Sequence, residues 1–592
     1  MLISANLVRS AAHVVRSVLA ERDSKLAFAY AGCLIAAQRD IERRLGVAMR
    51  RESVAITDLR QRAQLQLADC VANYALALLG ARHRETALRQ QVAHSGVTTL
   101  VEWAQQRRQD PKHSMLALFE QWIIQGHPLH PAAKVRVGMN PAEVLATCPE
   151  WGNTVELRVV ALHHAAAQEY GSAITQSPAQ QRPLTDLLLR EHPQLQAAVV
   201  AEYGAQQRFQ DSVTLLPVHP WQADHVLPQR FGCELSDGTL RFLPVRIPAR
   251  PLVSYRTLIP VATPTAPHPS HLKTALSVQL TNALRGVSPS AAHNGPQVSR
   301  LLEEILRREH YFSGRLQVLT EPAAAHFQFD EPQTATNAQA LPRSCELAAL
   351  ARHNPELDLG EDELLLPAGA LTARSPLSNQ PILAELLDAL RAAEPNAAVL
   401  GNRADAARYF AYRYAQVCVP PLLTLLTRYG VALEAHGENL LLGIRGGEPH
   451  RCMVRDFGGV RIHSQRLAKQ QLHIQLRAGS VITTNDDHEL RHKLYFALFT
   501  NELNQLVSCL SMLSGLPTAQ LWQPFHVAAA HTFDKLATEP GIRRAAQEDA
   551  RALLEQHWPY KAMLSMWLRG EVTDYSYLPT HNPFAVTSRG NA

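Results

Sequence analysis

The sequence predicts an α+β, multidomain protein, and three observations carry that reading. First, 592 residues exceed what one hydrophobic core supports, so three or four compact units are expected. Second, residues 1 to about 120 keep a helical period with few Gly or Pro interruptions, as in LQLADCVANYALALLGARHRE. Third, from about 150 to 330 the chain turns β-rich and Pro-punctuated. VTLLPVHPWQ, LRFLPVRIPARPLVSYRTLIPV and GRLQVLTE read as strands, with a helical segment at 296–308 between the last two.

Taken in order, the N-terminal apolar residues are broken by Arg9, His13 and Arg16, as in an amphipathic helix and unlike the apolar segment of a signal peptide. No stretch approaches the ~20 apolar residues that a membrane-spanning helix requires. DEPQTATNAQALPRSC, around residues 331–346, is polar and suits an exposed connection, a candidate mobile loop. ILAELLDALRAA and RYFAYRYAQVCVPPLLTLLTRYG then read as helices, followed by a β-hairpin within 434–459 and further helices from about 488 to 570. The domains expected are 1–150, helical; 151–375, mixed α/β; and 376–592, built on the hairpin and its helices.

Apolar residues at 46% and charged residues at 19% are ordinary for a globular chain. The excess of 58 Lys and Arg over 53 Asp and Glu leaves +5, which favours an anionic ligand without demanding nucleic acid. The eight cysteines form no CxxC pair, so neither a zinc ribbon nor a disulfide scaffold is indicated. A reducing, cytoplasmic location is expected.

The chemistry concentrates in three clusters. EAHGENLLLGIRGGEPHRCMVRDFGG places His436, Glu438 and Asn439 before one strand and Arg455 and Asp456 after its partner, so a turn brings the two ends together. Kinase-like folds use His-x-x-Asn and Asp-Phe-Gly in this way, with Asn and Asp carrying Mg²⁺ on nucleotide phosphates. Hard cations prefer oxygen ligands, which makes Asn439 and Asp456, with Glu434 or Glu438, candidates for the metal. His436 and Arg455 are candidates for phosphate or carboxylate oxygens. A hairpin with merely solvated ends would read alike.

The second cluster is LVSYRTLIP with SHLKTALSVQLTNALRG, supplying Ser254, Arg256, Thr257, Lys273, Thr281 and Arg285. Lys273, Ser277, Thr281 and Arg285 recur at four-residue intervals, which gives one face whether 272–285 is a helix or a strand. Guanidinium, ammonium and hydroxyl groups together suit phosphate or a polycarboxylate. The third cluster, GHPLHPAAKVRVGM, packs His127, His130, Lys134 and Arg136, and HPWQ repeats its His-Pro theme. Pro128 and Pro131 hinder the helix that would align the two imidazoles and no third soft ligand is near, so anion binding or loop ordering is favoured over transition-metal ligation.

GHPLHPAAKVRVGM, HPWQ, VSYRT, HLKTALSVQLTNALR, EAHGENLLL and VRDFGG, in this order, resemble the IucA/IucC family of NRPS-independent siderophore synthetases, over about residues 120–460 and onward into the helical end. The resemblance implies a cupped hand of helical thumb, mixed α/β fingers and kinase-like palm, with ATP between fingers and palm. It implies that Mg·ATP adenylates a carboxylate of citrate or a related acid, and that an amine or hydroxyl then attacks, releasing AMP and pyrophosphate. Carried over by motif, Ser254, Arg256 and Thr257 contact the nucleotide, and Lys273 and Arg285 hold the α-phosphate or the carboxylate. His436, Asn439 and Asp456 are the palm's phosphate and Mg²⁺ contacts. Arg256, Thr281, Arg285 and His436 receive the acid, and His127, His130, Lys134 and Arg136 shape the pocket edge. Lys273, Arg285 and His436 are the expected catalytic groups. Glu438 departs from the family's usual Gln and adds a carboxylate beside Asn439 and Asp456. A homodimer is also implied. The competing readings are a small-molecule phosphotransferase, although no Gly-rich or Walker loop opens the chain, and a non-catalytic binder of citrate or a ferric chelate.

Overall fold

The structure, a computed structural model, describes residues 2–172, 182–204, 212–328, 341–393, 400–572 and 575–587. The helical start expected from periodicity is present: helices Ala5–Arg22, Ser24–Glu52 and Gln61–Val92 pack on one another. Asp23 caps the second by accepting from Lys25 N. Val15, Leu19, Ile41, Leu67 and Leu76 form their shared core.

The β-rich middle folds into an eight-stranded antiparallel sheet. Near its centre, strand His271–Thr274 lies between Thr257–Pro260 and Ala348–Arg352. The register sets Thr257 and Leu350 opposite Lys273, and Arg352 opposite His271. Because alternate residues share a face, Thr257, Lys273 and Arg352 all stand on one side of the sheet.

Residues 272–285 correct the one-face expectation. The chain leaves the large sheet after Thr274, and strands Leu276–Leu280 and Ala283–Arg285 form a separate hairpin with Arg136–Val137 on its edge. Leu276, Val278 and Leu280 alternate inward, a period of two that dictates a strand, and the chain reverses at Thr281 and Asn282. Ser277 is bound on both its backbone and its hydroxyl by Gln222 of the HPWQ motif, at 2.8 and 3.0 Å.

The hairpin expected within 434–459 comprises Leu440–Arg445 and Glu448–Val454, flanked by antiparallel Glu363–Pro367 and parallel Leu316–Val318. Gly446 and Gly447 turn with φ of 55° and 81°; a Cβ on Gly447 would lie 2.4 Å from Leu390 N, so only glycine fits there. The helix Arg403–Tyr429 packs beneath the hairpin. One large core joins Leu100 and Trp103 to Leu301, Leu366, Phe410 and Phe499, residues drawn from distant parts of the chain. The helix expected at 296–308 begins earlier, at Pro289. Of the connection expected at 331–346, residues 331–340 lie outside the described residues, while Arg343–Glu346 is a short helix with Cys345 buried. All eight cysteines are free thiols.

Candidate functional site

Ser254, Arg256, Thr257, Lys273, Thr281, Arg285, His436, Glu438, Asn439, Asp456, His130 and Lys134 all line one cavity of about 510 Å³. The sheet supplies Thr257 and Lys273, the turn before Thr257 supplies Ser254 and Arg256, the small hairpin supplies Thr281 and Arg285, the ends of Leu440–Arg445 and Glu448–Val454 supply His436, Glu438, Asn439 and Asp456, and the turns before Arg136 supply His130 and Lys134.

The two walls meet at Asp456. Lys273 Nζ donates to both of its oxygens at 2.9 and 2.7 Å, and Arg352 approaches at 3.5 Å. Burial alone would raise the Asp456 pKa, but Lys273 and Arg352 outweigh it and hold the carboxyl well below the usual range. Arg352 is 2% exposed and donates to Glu321 at 3.0 Å, so the sheet enters the cavity with a buried ion-pair network behind it. Asp456, Thr281 and Tyr255, all non-glycine, carry φ of 68°, 65° and 65°. Backbone strain of this kind persists only where the surroundings over-determine it, and all three residues line the cavity.

Arg455 corrects its expected role as an oxyanion ligand. It is 4% exposed; its guanidinium donates to the Glu438 carbonyl at 3.1 and 2.7 Å and pairs with Glu120 at 2.6 Å. With Arg455 N donating to Asn439 O at 3.1 Å, this side chain clamps the two hairpin ends together. Asn439 Nδ2 lies 3.3 Å from His436 Nε2, which joins the two residues of the His-x-x-Asn motif.

In the third cluster, Lys134 forms a fully buried ion pair with Glu150, and Arg136 lies 4.1 Å over the Tyr255 ring, whose hydroxyl donates to Glu150 at 3.3 Å. Lys134 and Arg136 therefore spend their charge on fixing the turn that carries Ser254 and Arg256. His130 accepts from Ala132 N at 3.0 Å; burial, aided by Lys561 and Arg285, lowers it to about 3, so the ring is neutral. His127 faces His436 with ring centroids 6.4 Å apart. Arg256 donates to the Arg285 carbonyl at 3.0 Å and so ties the sheet to the small hairpin. Burial, reinforced by Arg285, lowers Arg256 to about 10, still cationic at neutral pH.

Sequence reasoning missed Arg352, Lys493 and Lys561, which also line the cavity. Lys493 pairs with Glu434 at 2.6 Å, and Lys561 is pushed down to about 8 by burial against the opposing pull of Glu434. Against the burial that would raise it, Lys493 and His436 hold Glu434 down to about 2. Only Arg352 left a trace in the sequence, a charge closing the apolar run LAALAR. Across the cavity Arg256, Lys273, Arg285, Arg352, Lys493 and Lys561 face Asp456, Glu434 and Glu438, so positive charge prevails and the cavity suits a polyanion.

The IucA / IucC family model matches residues 115–373, and a model described as ferric iron reductase FhuF-like transporter matches residues 408–576. Over residues 115–373 the chain is similar to the IucA / IucC family. Among similar proteins, staphyloferrin A synthase of Staphylococcus aureus is 25% identical, spanning 85% of this chain and 79% of its own. The D-ornithine–citrate ligase of the same organism is 25% identical, spanning 78% of this chain and 69% of its own. These relatives support a ligase of siderophore biosynthesis. In fold, the ATP-bound aerobactin synthetase IucA from a hypervirulent pathotype of Klebsiella pneumoniae superposes with a TM-score of 0.68 at 20% identity, covering 93% of this chain and 86% of that one. Among the described residues no helix is long and apolar enough to cross a membrane.

Proposed function

We propose that the protein is an ATP-dependent ligase that adenylates a carboxylate of citrate and condenses it with an amine or hydroxyl, releasing pyrophosphate and AMP. The observation that supports this most is the convergence of twelve motif-derived side chains, from His130 to Asp456, on one cation-rich cavity of about 510 Å³. Adenylation joins two anions, so fixed cations that offset their repulsion and hold them in line supply much of the rate. A citrate carboxylate oxygen attacks the α-phosphorus of ATP as the bond to pyrophosphate breaks. In this reading Lys273 and Arg285 offset charge at the reacting groups, and Thr281, Arg256 and His436 orient the acid. Thr257 contacts the nucleotide from the sheet and Ser254 from the turn before it. His130 and Lys134 act on the pocket edge, Lys134 through its pair with Glu150.

Mg²⁺ fits the donor set. Mg²⁺ is commonly held by one or two carboxylates with substrate phosphates and water completing the shell. Asp456 and Asn439, with Glu438 beside them, offer oxygen ligands of that kind, and no group of three or more His, Cys, Asp or Glu among the described residues forms a self-sufficient metal cage. When bound, Mg²⁺ supplies charge neutralisation to the phosphates. Asp456 would then exchange part of its contact with Lys273 for the metal, freeing the ammonium for a phosphate or carboxylate oxygen. The division into thumb (1–150), fingers (151–375) and palm (376–592) is part of the same proposal.

The test is product analysis with purified protein, ATP, Mg²⁺ and citrate. Acid-dependent pyrophosphate and AMP are expected. ADP in their place would make the protein a small-molecule kinase-like phosphotransferase, and citrate binding without nucleotide turnover would make it a binding protein.

A further inference from the structure

A second chamber, of about 700 Å³, adjoins the cationic cavity, and the two share Gly126, His127, His436, Glu438 and Asn501 in their linings. Leu78, Ala81, Trp122, Ile123 and Ala373 make its remaining wall largely apolar. Glu85 faces it already paired, with Arg89 at 3.2 Å and Arg374 at 2.9 Å. Glu502 is different. It is 4% exposed, has no ion pair among the described residues, and receives a hydrogen bond from the Tyr414 hydroxyl at 3.2 Å. It projects from the π-helical stretch Tyr495–Leu503, an irregularity frequent at functional sites. A Cβ on Gly437 would sit 2.6 Å from Glu502 Oε2, so the carboxylate lies against the residue that follows His436, at the boundary between the two cavities.

We propose that this chamber receives the nucleophile, a primary amine with an apolar body, and that Glu502 holds its ammonium and takes a proton from it beside the activated acid. The inference rests on the ligase reading above. An uncompensated buried carboxylate in an apolar chamber favours a cationic guest, because the guest supplies the missing counter-charge. Burial raises Glu502 to about 7, which Tyr414 opposes, so the group can both ionise and accept a proton near neutral pH. The Cys418 thiol is the other titratable group bearing on it from the helix Arg403–Tyr429; His127, His436, Glu438, Arg82 and the Glu85 pairs face it across the chamber. In the step itself, the ammonium gives one proton to Glu502 and its nitrogen lone pair forms the C–N bond. The acyl C–O bond to AMP breaks with its electron pair passing to the phosphate, and the phosphate takes the second N–H proton.

The test compares two captures of the acyl-adenylate by the whole protein with ATP, Mg²⁺ and citrate. Hydroxylamine is small and uncharged at pH 7.5 and needs no ammonium site; ethylenediamine, 1,4-diaminobutane and ornithine do. In Glu502→Gln, coupling of these amines is expected to fall at least 100-fold, and its rate to lose the inflection near pH 7, while hydroxamate formation stays within threefold. Leu78→Trp, which fills the chamber from the helix Gln61–Val92, is expected to show the same split. Equal loss of both captures, a raised KM for ATP in either variant, or a wild type that couples none of the amines while forming hydroxamate would overturn the inference. Absence of hydroxamate in the wild type would instead remove the ligase reading on which it stands.

Discussion

The two adjoining cavities share a wall yet are built from different material. In the cationic one, most charges and hydroxyls sit on strands and tight turns, with Lys493 on the helix Asp487–Leu494; in the apolar one, the wall comes from the face of a long helix, from residues 122–128, from the 368–374 turn and from the π-helical stretch. A cation must be held by its immediate neighbours, because each buried charge needs a partner at hydrogen-bond distance. An apolar wall needs only volume, which any distant segment can provide. Binding an anion and admitting an organic body thus leave different marks on the chain.

The largest expected effect tests whether the cationic side is a network or a collection of independent charges. Arg352 and Glu321 are 2% and 3% exposed and paired at 3.0 Å, and removing one partner of such a pair typically costs ~3–5 kcal/mol. Arg352→Met should therefore lower the thermal midpoint sharply. Replacing Glu321 by Leu as well should restore much of the stability without restoring turnover, since Asp456 would still have lost its second cation. If the double variant regains turnover, Arg352 serves the fold and not the site.

Next in size, Asp456→Ala should leave circular dichroism unchanged and reduce citrate-dependent pyrophosphate release by about 100-fold or more, the loss usual for one positioned electrostatic contact, ~3 kcal/mol. Wild-type turnover from folded Asp456→Ala would detach the hairpin end from the chemistry altogether.

The same contrast explains what could be read in the sequence. The helical start, the β-rich middle and the hairpin were legible because period 3.6, period 2 and a Gly-Gly turn are local signals. Thr257 and Lys273 were legible as candidates, they line one cavity, and their cross-strand register explains why their motifs belong together. The role of Arg455 was misread because its partner, Glu120, lies far away in sequence. Lys273 to Arg285 was misread as one face because their spacing is silent about where a chain breaks and reverses. Lys493, Lys561 and Glu502 carried no motif at all, since Lys493 and Glu502 reach their cavities from C-terminal helices and Lys561 from the end of the strand Trp558–Lys561.

The third expectation probes the apolar side through pH. Glu502 holds its proton up to about 7 in the folded protein, against an ordinary value of 4.5. Since the unfolded chain releases that proton at lower pH, ionisation opposes folding: the penalty is absent below 4.5, grows as pH rises toward 7 and is constant beyond. The 2.5-unit difference corresponds to ~3 kcal/mol at most. Glu502→Gln should therefore gain thermal midpoint relative to wild type between pH 4.5 and 7 and keep that gain at pH 8. A difference that stays flat across this range would mean that Glu502 is ionised and compensated in the folded protein, and the contrast between the two cavities would weaken.

The smallest effect concerns strain on the cationic side. Thr281 is β-branched yet sits at φ 65°, where glycine rests without steric penalty. Replacing it by Gly relieves a cost of ~1–2 kcal/mol, offset by the greater freedom of glycine in the unfolded chain. A net gain of up to ~1 kcal/mol is expected, together with a raised KM for citrate because the hydroxyl is gone. The two changes must appear in the same variant: a more stable protein that handles the acid less well. If Thr281→Gly is less stable instead, the hydroxyl contributes more to holding the Leu276–Leu280 and Ala283–Arg285 hairpin than its backbone strain removes, and the positive φ there is a by-product of folding with no link to the acid.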